Sequence, residues 1–317
     1  MTPTVSIIIP NWNGRAFLRR CVGATLQSMA ASGLACELTV VDDASHDDSA
    51  DAVSNEFPTV RLLRNPVNVG FGATCNRGAR EAAGQVVLLV NNDLVPRETM
   101  VGELAEPILR DDGLFAVSGK TVGWDGHTPN HVNMAARING TGFTLTYEES
   151  ASPSPTMFAQ GGCCAFRRDV FLGYGGFHPL FAPGYWEDYD ISYRALKHGW
   201  RNLYNPRAVG NHLGTGSMVR AHGERTVAIT RQRNRELFLW LNLTDPDLVR
   251  AMASRVPGRV AGAFAAPGED RLWLRGFLKA LARLPAVERE RRIRAREARR
   301  SDGDIFAEFA GQGMPCP

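Results

Sequence analysis

Short apolar runs alternate with longer mixed segments over the first part of the chain. The apolar runs are rich in β-branched residues and predict strands, which lie at residues 5–10, 37–41, 60–64 and 86–90. The segments between them predict helices at residues 15–31, 45–56 and 71–83. Strands and helices that alternate at this interval form βα units, which indicates an α/β fold with a mostly parallel sheet and helices on both faces.

The pattern changes after Pro96. It predicts helices at residues 97–110, 186–198 and 227–243, strands at 115–118 and 161–166, and an irregular or hairpin region at 123–154. Beyond Pro246 the chain is predicted to be helical, with loops between the helices.

The fourth predicted strand, Val86–Val90, is apolar without interruption, which is typical of a strand buried on both faces. Asn91, Asn92 and Asp93 follow it directly. Ligands bind at the carboxyl ends of the strands of a parallel sheet. We therefore expect these three residues to meet a metal-bound, negatively charged ligand.

Two further strand ends carry groups suited to a nucleotide. Pro10, Trp12 and Asn13 follow the first strand, and Asp43 follows the second. Trp12 can stack on a base, and the carboxylate of Asp43 can accept a hydrogen bond from a base N–H. Alternatively, the acidic residues that begin at Asp42 form only a turn and a helix cap.

That second interpretation is preferred for Asp47 and Asp48. Together with Ser45 and His46 they fit a capping box that opens the second helix.

A glycine-rich segment at residues 68–78 leads into the third helix and contains Gly70, Phe71 and Asn76. Glycines before a helix let a phosphate approach the helix N-terminus closely. A dinucleotide fingerprint would need glycine at Cys75 and would follow the first strand, so NAD binding is disfavoured. A purely structural loop is the alternative.

An acidic group with aromatic neighbours opens the helix predicted at residues 186–198. Glu187 and Asp188 are adjacent, and a carboxylate in such surroundings can serve as a general base. An ordinary acidic helix start would also account for Glu187 and Asp190, but it explains the flanking aromatic residues less well.

His212 follows a predicted strand and stands among glycines, which suits a neutral metal ligand. Residues 214–217 do not form a nucleophile elbow. The remaining histidines receive no role; they are His46, His127, His131, His178, His198 and His222.

Taken in order, these motifs resemble those of the family 2 inverting glycosyltransferases, in particular their bacterial, rhamnosyltransferase-like branch. The resemblance covers residues 4–240 and implies the GT-A fold, with a Rossmann-like sheet. It implies a catalytic domain at 1–240, with a nucleotide-sugar-binding half at 1–96 and an acceptor-binding half at 97–240. Residues 241–317 would be a C-terminal helical extension.

The resemblance also implies roles for individual residues. Asp93 would bind Mg²⁺ or Mn²⁺ with His212, and Asp188, beside Glu187, would be the catalytic base. Asn91 stands where many members carry an aspartate, and a neutral amide binds such a cation more weakly. The nucleotide side of the site would comprise Pro10, Trp12, Asn13, Asp43, Gly70, Phe71, Asn76 and Asn92.

The implied reaction transfers a sugar, with rhamnose the best guess, from a dTDP- or UDP-sugar to a hydroxyl of a glycan or lipid-linked acceptor. Such a reaction would serve the biosynthesis of cell-surface polysaccharide. A Q-x-x-R-W motif, found in processive members, is absent. The alternative is a non-catalytic nucleotide-sugar or carbohydrate-binding module, which the presence of both Asp93 and Asp188 disfavours.

Composition adds two expectations. The net charge of +3 is too small to indicate a nucleic-acid partner, and six scattered cysteines without a C-x-x-C pair suggest a reducing cytoplasm. No signal peptide is expected. Residues 269–300 predict a basic amphipathic helix that either contacts the inner face of the plasma membrane or packs on the catalytic domain with its arginines in solvent.

Overall fold

The structure, a computed structural model, describes residues 3–140, 142–212, 219, 222–265, 268–311 and 314–315. Residues 214–217, which follow His212, lie outside the described residues.

The amino-terminal half contains the predicted parallel strands. Strand β1 (Val5–Asn11) pairs with β2 (Cys36–Asp42) on one side and with β4 (Val86–Val90) on the other, and β3 (Arg61–Arg64) pairs with β2. All four run in the same direction, so their carboxyl ends meet at one edge. The helices between them are α1 (Leu18–Ser32), α2 (Ser49–Glu56) and α3 (Phe71–Glu81).

The predicted capping box at Ser45 is wrong. Helix α2 begins at Ser49, and the Ser45 hydroxyl donates to Asp42 Oδ1 at 2.6 Å instead of capping the helix. The Ser49 main-chain nitrogen donates to Asp47 Oδ1 at 3.1 Å. The acidic segment is therefore a turn that closes on the end of β2.

The second half adds strands in both directions to the same sheet. Strand β11 (Cys163–Arg167) lies antiparallel between β4 and β6 (Leu114–Val122), and β6 pairs in parallel with β12 (Arg201–His212). Strand β5 (Leu94–Pro96) pairs antiparallel with the end of β12. The sheet is thus mixed, with its parallel part in the amino-terminal half.

Residues 123–154, predicted as irregular or as a hairpin, contain a hairpin of β8 (Asn133–Asn139) and β9 (Gly142–Glu148). Strand β13 (Met314–Pro315) pairs with β9. Two shorter strands belong to the main sheet, β7 (Pro129–His131) against β6 and β10 (Ser154–Pro155) against β12.

The second half and the C-terminal extension supply further helices. Those of the second half are α4 (Met100–Arg110), α5 (Arg168–Gly173), α6 (Glu187–Lys197) and α7 (Glu224–Asn242). Those of the extension are α8 (Pro246–Ser254), α9 (Val256–Ala265), α10 (Glu269–Leu281), α11 (Leu284–Glu297) and α12 (Asp302–Glu308). Along the described part of the chain, no helix is both long and apolar enough to cross a bilayer.

Buried charges tie the extension to helix α6. Asp302 is fully buried and accepts hydrogen bonds from Lys197 Nζ at 2.7 Å and from the Tyr193 hydroxyl at 2.8 Å. Arg294 of α11 is also buried and forms an ion pair with Asp190. Burial alone would raise the pKa of Asp190, but Arg294 and Arg194 hold it below its ordinary value. Part of the predicted basic face therefore packs against α6.

Replacing Asp302 with asparagine is expected to lower the free energy of unfolding by about 3 kcal/mol, because it leaves the buried ammonium of Lys197 without its counter-charge. Urea unfolding of the full chain measures the loss. Glu106→Gln, in an exposed pair with Arg110, is the matched control and should change stability by less than about 1 kcal/mol. Equal effects of the two substitutions would contradict the assignment.

Candidate functional site

The carboxyl ends of β1, β2 and β4 open into a cleft of about 870 Å³. Its lining comes from both halves of the chain. The amino-terminal half contributes the strand ends and the loop before α3, while the second half contributes the start of α6, the end of β12 and one face of α7.

A buried amide joins the three strand ends. Asn11 Nδ2 donates to Asp42 Oδ1 and to Ser49 Oγ, each at 2.9 Å, and Asn11 Oδ1 accepts from Asn92 Nδ2 at 2.9 Å. A Cβ added at Gly14 would lie 2.2 Å from Asn11 Oδ1, so only glycine fits there. Asn92 lines the cleft and also holds the ends of β1 and β4 together.

Asp43 organises the loop that precedes α3. Its carboxylate accepts hydrogen bonds from Asn65 Nδ2 at 2.7 Å and from the main-chain nitrogens of Val69 and Gly70, each at 2.9 Å. Gly70 has φ +85°, and a Cβ there would lie 2.9 Å from the carbonyl oxygen of Pro183. Asp43 and Gly70 thus both line the cleft and fix its wall.

Trp12 and Pro10 line the cleft at the end of β1. The ring of Trp12 lies nearly parallel to that of His222, at 9° and with centroids 6.4 Å apart. The buried Nε1 of Trp12 has no hydrogen-bond partner among the described residues. A flat ring with a parallel neighbour is the arrangement that a stacked base would also adopt.

Two residues predicted to bind the nucleotide lie elsewhere. The Asn76 amide forms two hydrogen bonds of 2.8 Å with the main chain of Phe177. Asn13 is exposed at φ +51°, and its side chain accepts from the main-chain nitrogen of His46. Both therefore hold neighbouring loops and do not line the cleft, whereas Phe71 does.

Asp93 and His212 meet although they lie more than a hundred residues apart in the chain. The pairing of β5 with β12 places His212 opposite Leu94, and His212 Nε2 lies 3.1 Å from Asp93 Oδ1. Both side chains are largely buried, and His212 Nδ1 has no partner among the described residues. A buried carboxylate next to a buried imidazole is an established donor pair for divalent cations.

These residues fit a Mg²⁺ or Mn²⁺ ion that takes its remaining ligands from a diphosphate and water, as such ions commonly do. Within the described ranges, no group of three or more His, Cys, Asp or Glu side chains is placed to hold a metal. Asn91 lines the cleft, but its amide packs tightly on Gly162, where a Cβ would lie 2.2 Å from Asn91 Nδ2.

Glu187 and Asp188 open helix α6 and also line the cleft. Asp188 accepts hydrogen bonds from the main-chain nitrogens of Gly161 at 3.0 Å and Tyr189 at 2.9 Å. Burial raises the pKa of Asp188 to about 6, although these donors act in the opposite direction. Asp188 is thus ionised at neutral pH yet basic enough to accept a proton.

Glu187 differs from its neighbour. Burial, together with the charge of Asp188, raises the pKa of Glu187 well above its ordinary value. Its Oε2 has no partner among the described residues. Burial and the neighbouring charge both disfavour the charged form of Glu187.

The segment before α6 adopts an unusual backbone. Tyr185 and Trp186 both have positive φ, of 73° and 76°. The side-chain nitrogen of Asn234 in α7 donates to the carbonyl oxygens of Phe181, Gly184 and Tyr185, at 2.8 to 2.9 Å. Asn234 therefore maintains a conformation that few residues other than glycine adopt.

Aromatic and basic side chains complete the lining of the cleft. They are Tyr147, Phe158, Tyr185, Trp186, Tyr189, Arg231 and Arg235. His131, which received no role from the sequence, also lines the cleft; burial, with help from His212 and Arg231, lowers its pKa to about 4. It is therefore neutral at physiological pH.

Comparisons with known proteins identify named glycosyltransferases among the relatives of this chain. The N-acetylglucosaminyl-diphospho-decaprenol L-rhamnosyltransferase of Mycobacterium tuberculosis is 28% identical over 212 residues, which cover 57% of this chain and 68% of that protein. The dolichol-phosphate mannosyltransferase of Pyrococcus furiosus is 30% identical over 128 residues, which cover 38% and 36% of the two chains.

Solved structures share the fold. GalNAc-T7 with UDP, GalNAc and Mn²⁺ has a TM-score of 0.60 at 18% identity, over 80% of this chain and 51% of that one, so this chain spans about half the length of GalNAc-T7. The mannosyltransferase PcManGT from Pyrobaculum calidifontis, in complex with GDP-Man and Mn²⁺, has a TM-score of 0.53 at 17% identity, over 98% and 87% of the two chains. These are GT-A glycosyltransferases, which confirms the predicted fold.

The family match covers most of the residues that build the cleft. The model of the family described as Glycosyl transferase family 2 matches residues 6–175, more than half of the chain. The matched region includes Asp43, Asn91 and Asp93. The protein therefore belongs to glycosyltransferase family 2 and is a glycosyltransferase with the GT-A fold.

Proposed function

We propose that this glycosyltransferase inverts the anomeric carbon of a nucleoside-diphosphate sugar and transfers the sugar to a hydroxyl of a lipid-linked acceptor. One observation carries the proposal: a single cleft contains both the Asp93–His212 pair and Asp188, whose pKa is raised to about 6. The first group suits a diphosphate with its cation, and the second suits an acceptor hydroxyl.

The residues of the chain perform the transfer as follows. Asp188 takes the proton of the acceptor hydroxyl while the hydroxyl oxygen forms a bond to the anomeric carbon. The bond from that carbon to the diphosphate breaks on the opposite face, so the configuration inverts. Asp93 and His212 would hold Mg²⁺ or Mn²⁺, which supplies charge stabilisation to the leaving diphosphate.

Other residues orient the partners of this reaction. Trp12, Pro10 and Asp43 would hold the nucleoside, and Gly70 and Phe71 shape the wall beside it. Burial and the charge of Asp188 raise the pKa of Glu187, which disfavours a second negative charge near the diphosphate.

We propose rhamnose from a dTDP- or UDP-sugar as the donor and a sugar diphospholipid as the acceptor. The support is the 28% identity to an enzyme named as a rhamnosyltransferase that acts on a diphospho-decaprenol substrate. The role would be the biosynthesis of cell-surface polysaccharide.

A panel of nucleotide sugars tests the function. With Mn²⁺ and an N-acetylglucosaminyl-diphospho-lipid acceptor, dTDP-rhamnose or UDP-rhamnose should give the highest rate, and the product should have the opposite anomeric configuration by NMR. A product that retains the donor configuration would refute the inverting mechanism. Transfer of another sugar alone would refute the proposed donor.

The extension presents a surface suited to an anionic membrane. Exposed apolar side chains lie on its helices at Phe264, Leu278, Leu281 and Ile293. Arg271, Arg275 and Lys279 recur at four-residue intervals along α10. All three are exposed, as is Leu278. We propose that this face contacts the inner leaflet, where the lipid-linked acceptor would lie, and that the enzyme is cytoplasmic.

Co-sedimentation with vesicles checks this surface. The full chain should bind vesicles that contain phosphatidylglycerol, and the double substitution Leu278→Glu and Leu281→Glu should reduce binding at least about tenfold by removing apolar contacts and adding repulsion. Val67→Glu, at an exposed apolar residue elsewhere, serves as the control. Unchanged binding of the double variant would contradict the proposal.

A further inference from the structure

Two arginines one turn apart on α7, Arg231 and Arg235, line the cleft, and they differ in their partners. Arg235 is half-buried, donates to the carbonyl oxygen of Phe143 at 2.8 Å and lies 3.3 Å from Glu236 Oε1. Arg231 is exposed, and its guanidinium carbon lies 4.4 Å from the centre of the Tyr185 ring. Among the described residues, no carboxylate lies within ion-pair distance of Arg231. The cleft therefore contains a guanidinium whose charge is not balanced by a neighbouring acid.

The position of Arg231 relates it to the acceptor. Its partner Tyr185 belongs to the segment that leads into Asp188, and Asn234, three residues further along α7, fixes that segment through its three hydrogen bonds. The charge of Arg231 also acts on Tyr189, directly after Asp188, where it opposes the rise that burial causes in the tyrosine pKa. Arg231 and Asp188 are thus both linked to the segment around Tyr185, Arg231 by its contact with the ring and Asp188 by the continuity of the chain.

We propose that Arg231, with Tyr185, is an anion subsite that binds the diphosphate of the lipid-linked acceptor. The inference rests on the proposed function of the cleft. The guanidinium can bind two phosphate oxygens at once, and the ring of Tyr185 supports its plane. The donor diphosphate would lie at Asp93 and His212, so the second anion of the reaction needs its own cation. Arg231 contacts Tyr185, three residues before Asp188, so an acceptor whose hydroxyl lies at Asp188 would bring its diphosphate near this guanidinium.

Binding of two probes to Arg231→Gln separates the sources of the anion. Geranyl diphosphate, which has no sugar, represents the acceptor, and dTDP and UDP with Mn²⁺ represent the donor. The substitution should weaken geranyl diphosphate binding about ten- to a hundredfold, the value of a hydrogen-bonded ion pair, and leave nucleoside diphosphate binding unchanged. Arg231→Lys should retain part of the affinity, since it keeps the charge but loses the paired geometry.

Arg225→Gln is the matched control, because Arg225 is an exposed arginine of the same helix outside the cleft. It should bind both probes as the unmodified enzyme does. Steady-state transfer adds a second readout: Arg231→Gln should raise KM for a sugar diphospholipid and leave KM for the neutral alkyl glycoside of the same sugar unchanged.

Unchanged geranyl diphosphate affinity in Arg231→Gln would overturn the subsite. Selective loss of dTDP or UDP affinity would also overturn it, by assigning Arg231 to the donor. Failure of the proposed function gives a different result, in which the unmodified enzyme transfers no sugar from the donor panel while the binding of geranyl diphosphate can still be measured.

Discussion

Asp188→Asn is expected to lower the rate of sugar transfer by about 10³-fold, the usual contribution of a general base. The amide keeps the shape of the carboxylate but cannot accept the proton of the acceptor hydroxyl. Binding of the nucleoside diphosphate should be unchanged, since the proposed donor groups, Asp93 and His212, are not altered. Single-turnover transfer measures the rate, and calorimetric titration with dTDP or UDP and Mn²⁺ measures donor binding.

The pH dependence gives an independent check of the same residue. Only ionised Asp188 can accept a proton, and its pKa is about 6. Transfer by the unmodified enzyme should therefore be level above that pH and fall about tenfold for each pH unit below it. The residual activity of Asp188→Asn should lack this fall.

Stability provides the folding control. A carboxyl whose pKa is raised in the folded protein stabilises the fold at low pH, and that contribution is lost as the pH rises through the folded value. The uncharged asparagine avoids this loss, so Asp188→Asn should be at least as stable as the unmodified enzyme at pH 7. Asp169→Asn, which removes an exposed acid at the start of α5, is the matched control. Full transfer by Asp188→Asn would exclude Asp188 as the base.

Asp93→Asn is expected to weaken Mn²⁺-dependent donor binding by at least about 10- to 100-fold, which is the loss seen even when only a residue behind a metal ligand is changed. The substitution replaces the carboxylate with a neutral amide, which binds a divalent cation more weakly. Manganese titration in the presence of dTDP or UDP, followed by electron paramagnetic resonance, measures the affinity.

His212→Ala should cause a smaller loss than Asp93→Asn, because the carboxylate that attracts the cation remains. Asp112→Asn, whose side chain is fully exposed, removes an acid elsewhere and should leave the titration unchanged. Donor binding that is equally strong with and without Mn²⁺ would contradict the proposed role of the pair.

The parallel half of the fold could be predicted because its strands are short, apolar and separated by helices. Strand β12 could not be predicted at its full length. Asn202 and Asn205 interrupt its apolar pattern, and both are buried through side-chain hydrogen bonds to distant main chain, from Asn202 to Met157 and from Asn205 to Glu103. Such polar residues resemble a loop until their partners are known.

The same limit applies to the site. Asp93, Asp188 and His212 stand in recognisable local contexts, and the structure brings Asp93 and His212 together. The roles of Asn11 and Asn234 arise from contacts between segments that are distant in the chain: Asn234 bonds to Phe181, 53 positions earlier. No local pattern distinguishes such an asparagine from one on the surface. The contact of Asn76 was not predictable for the same reason, since its partner Phe177 is 101 positions away.

The ion pairs that join α6 to the extension have a consequence for engineering. Helix α6, which has Asp188 in its first turn, also carries Asp190 and Lys197, and their buried partners are Arg294 and Asp302. A chimera that receives the acceptor-binding half of another family member would bury these charges against a foreign extension. We therefore expect a chimera to take on the acceptor preference of a relative only when residues 97–240 and the C-terminal helices are exchanged together.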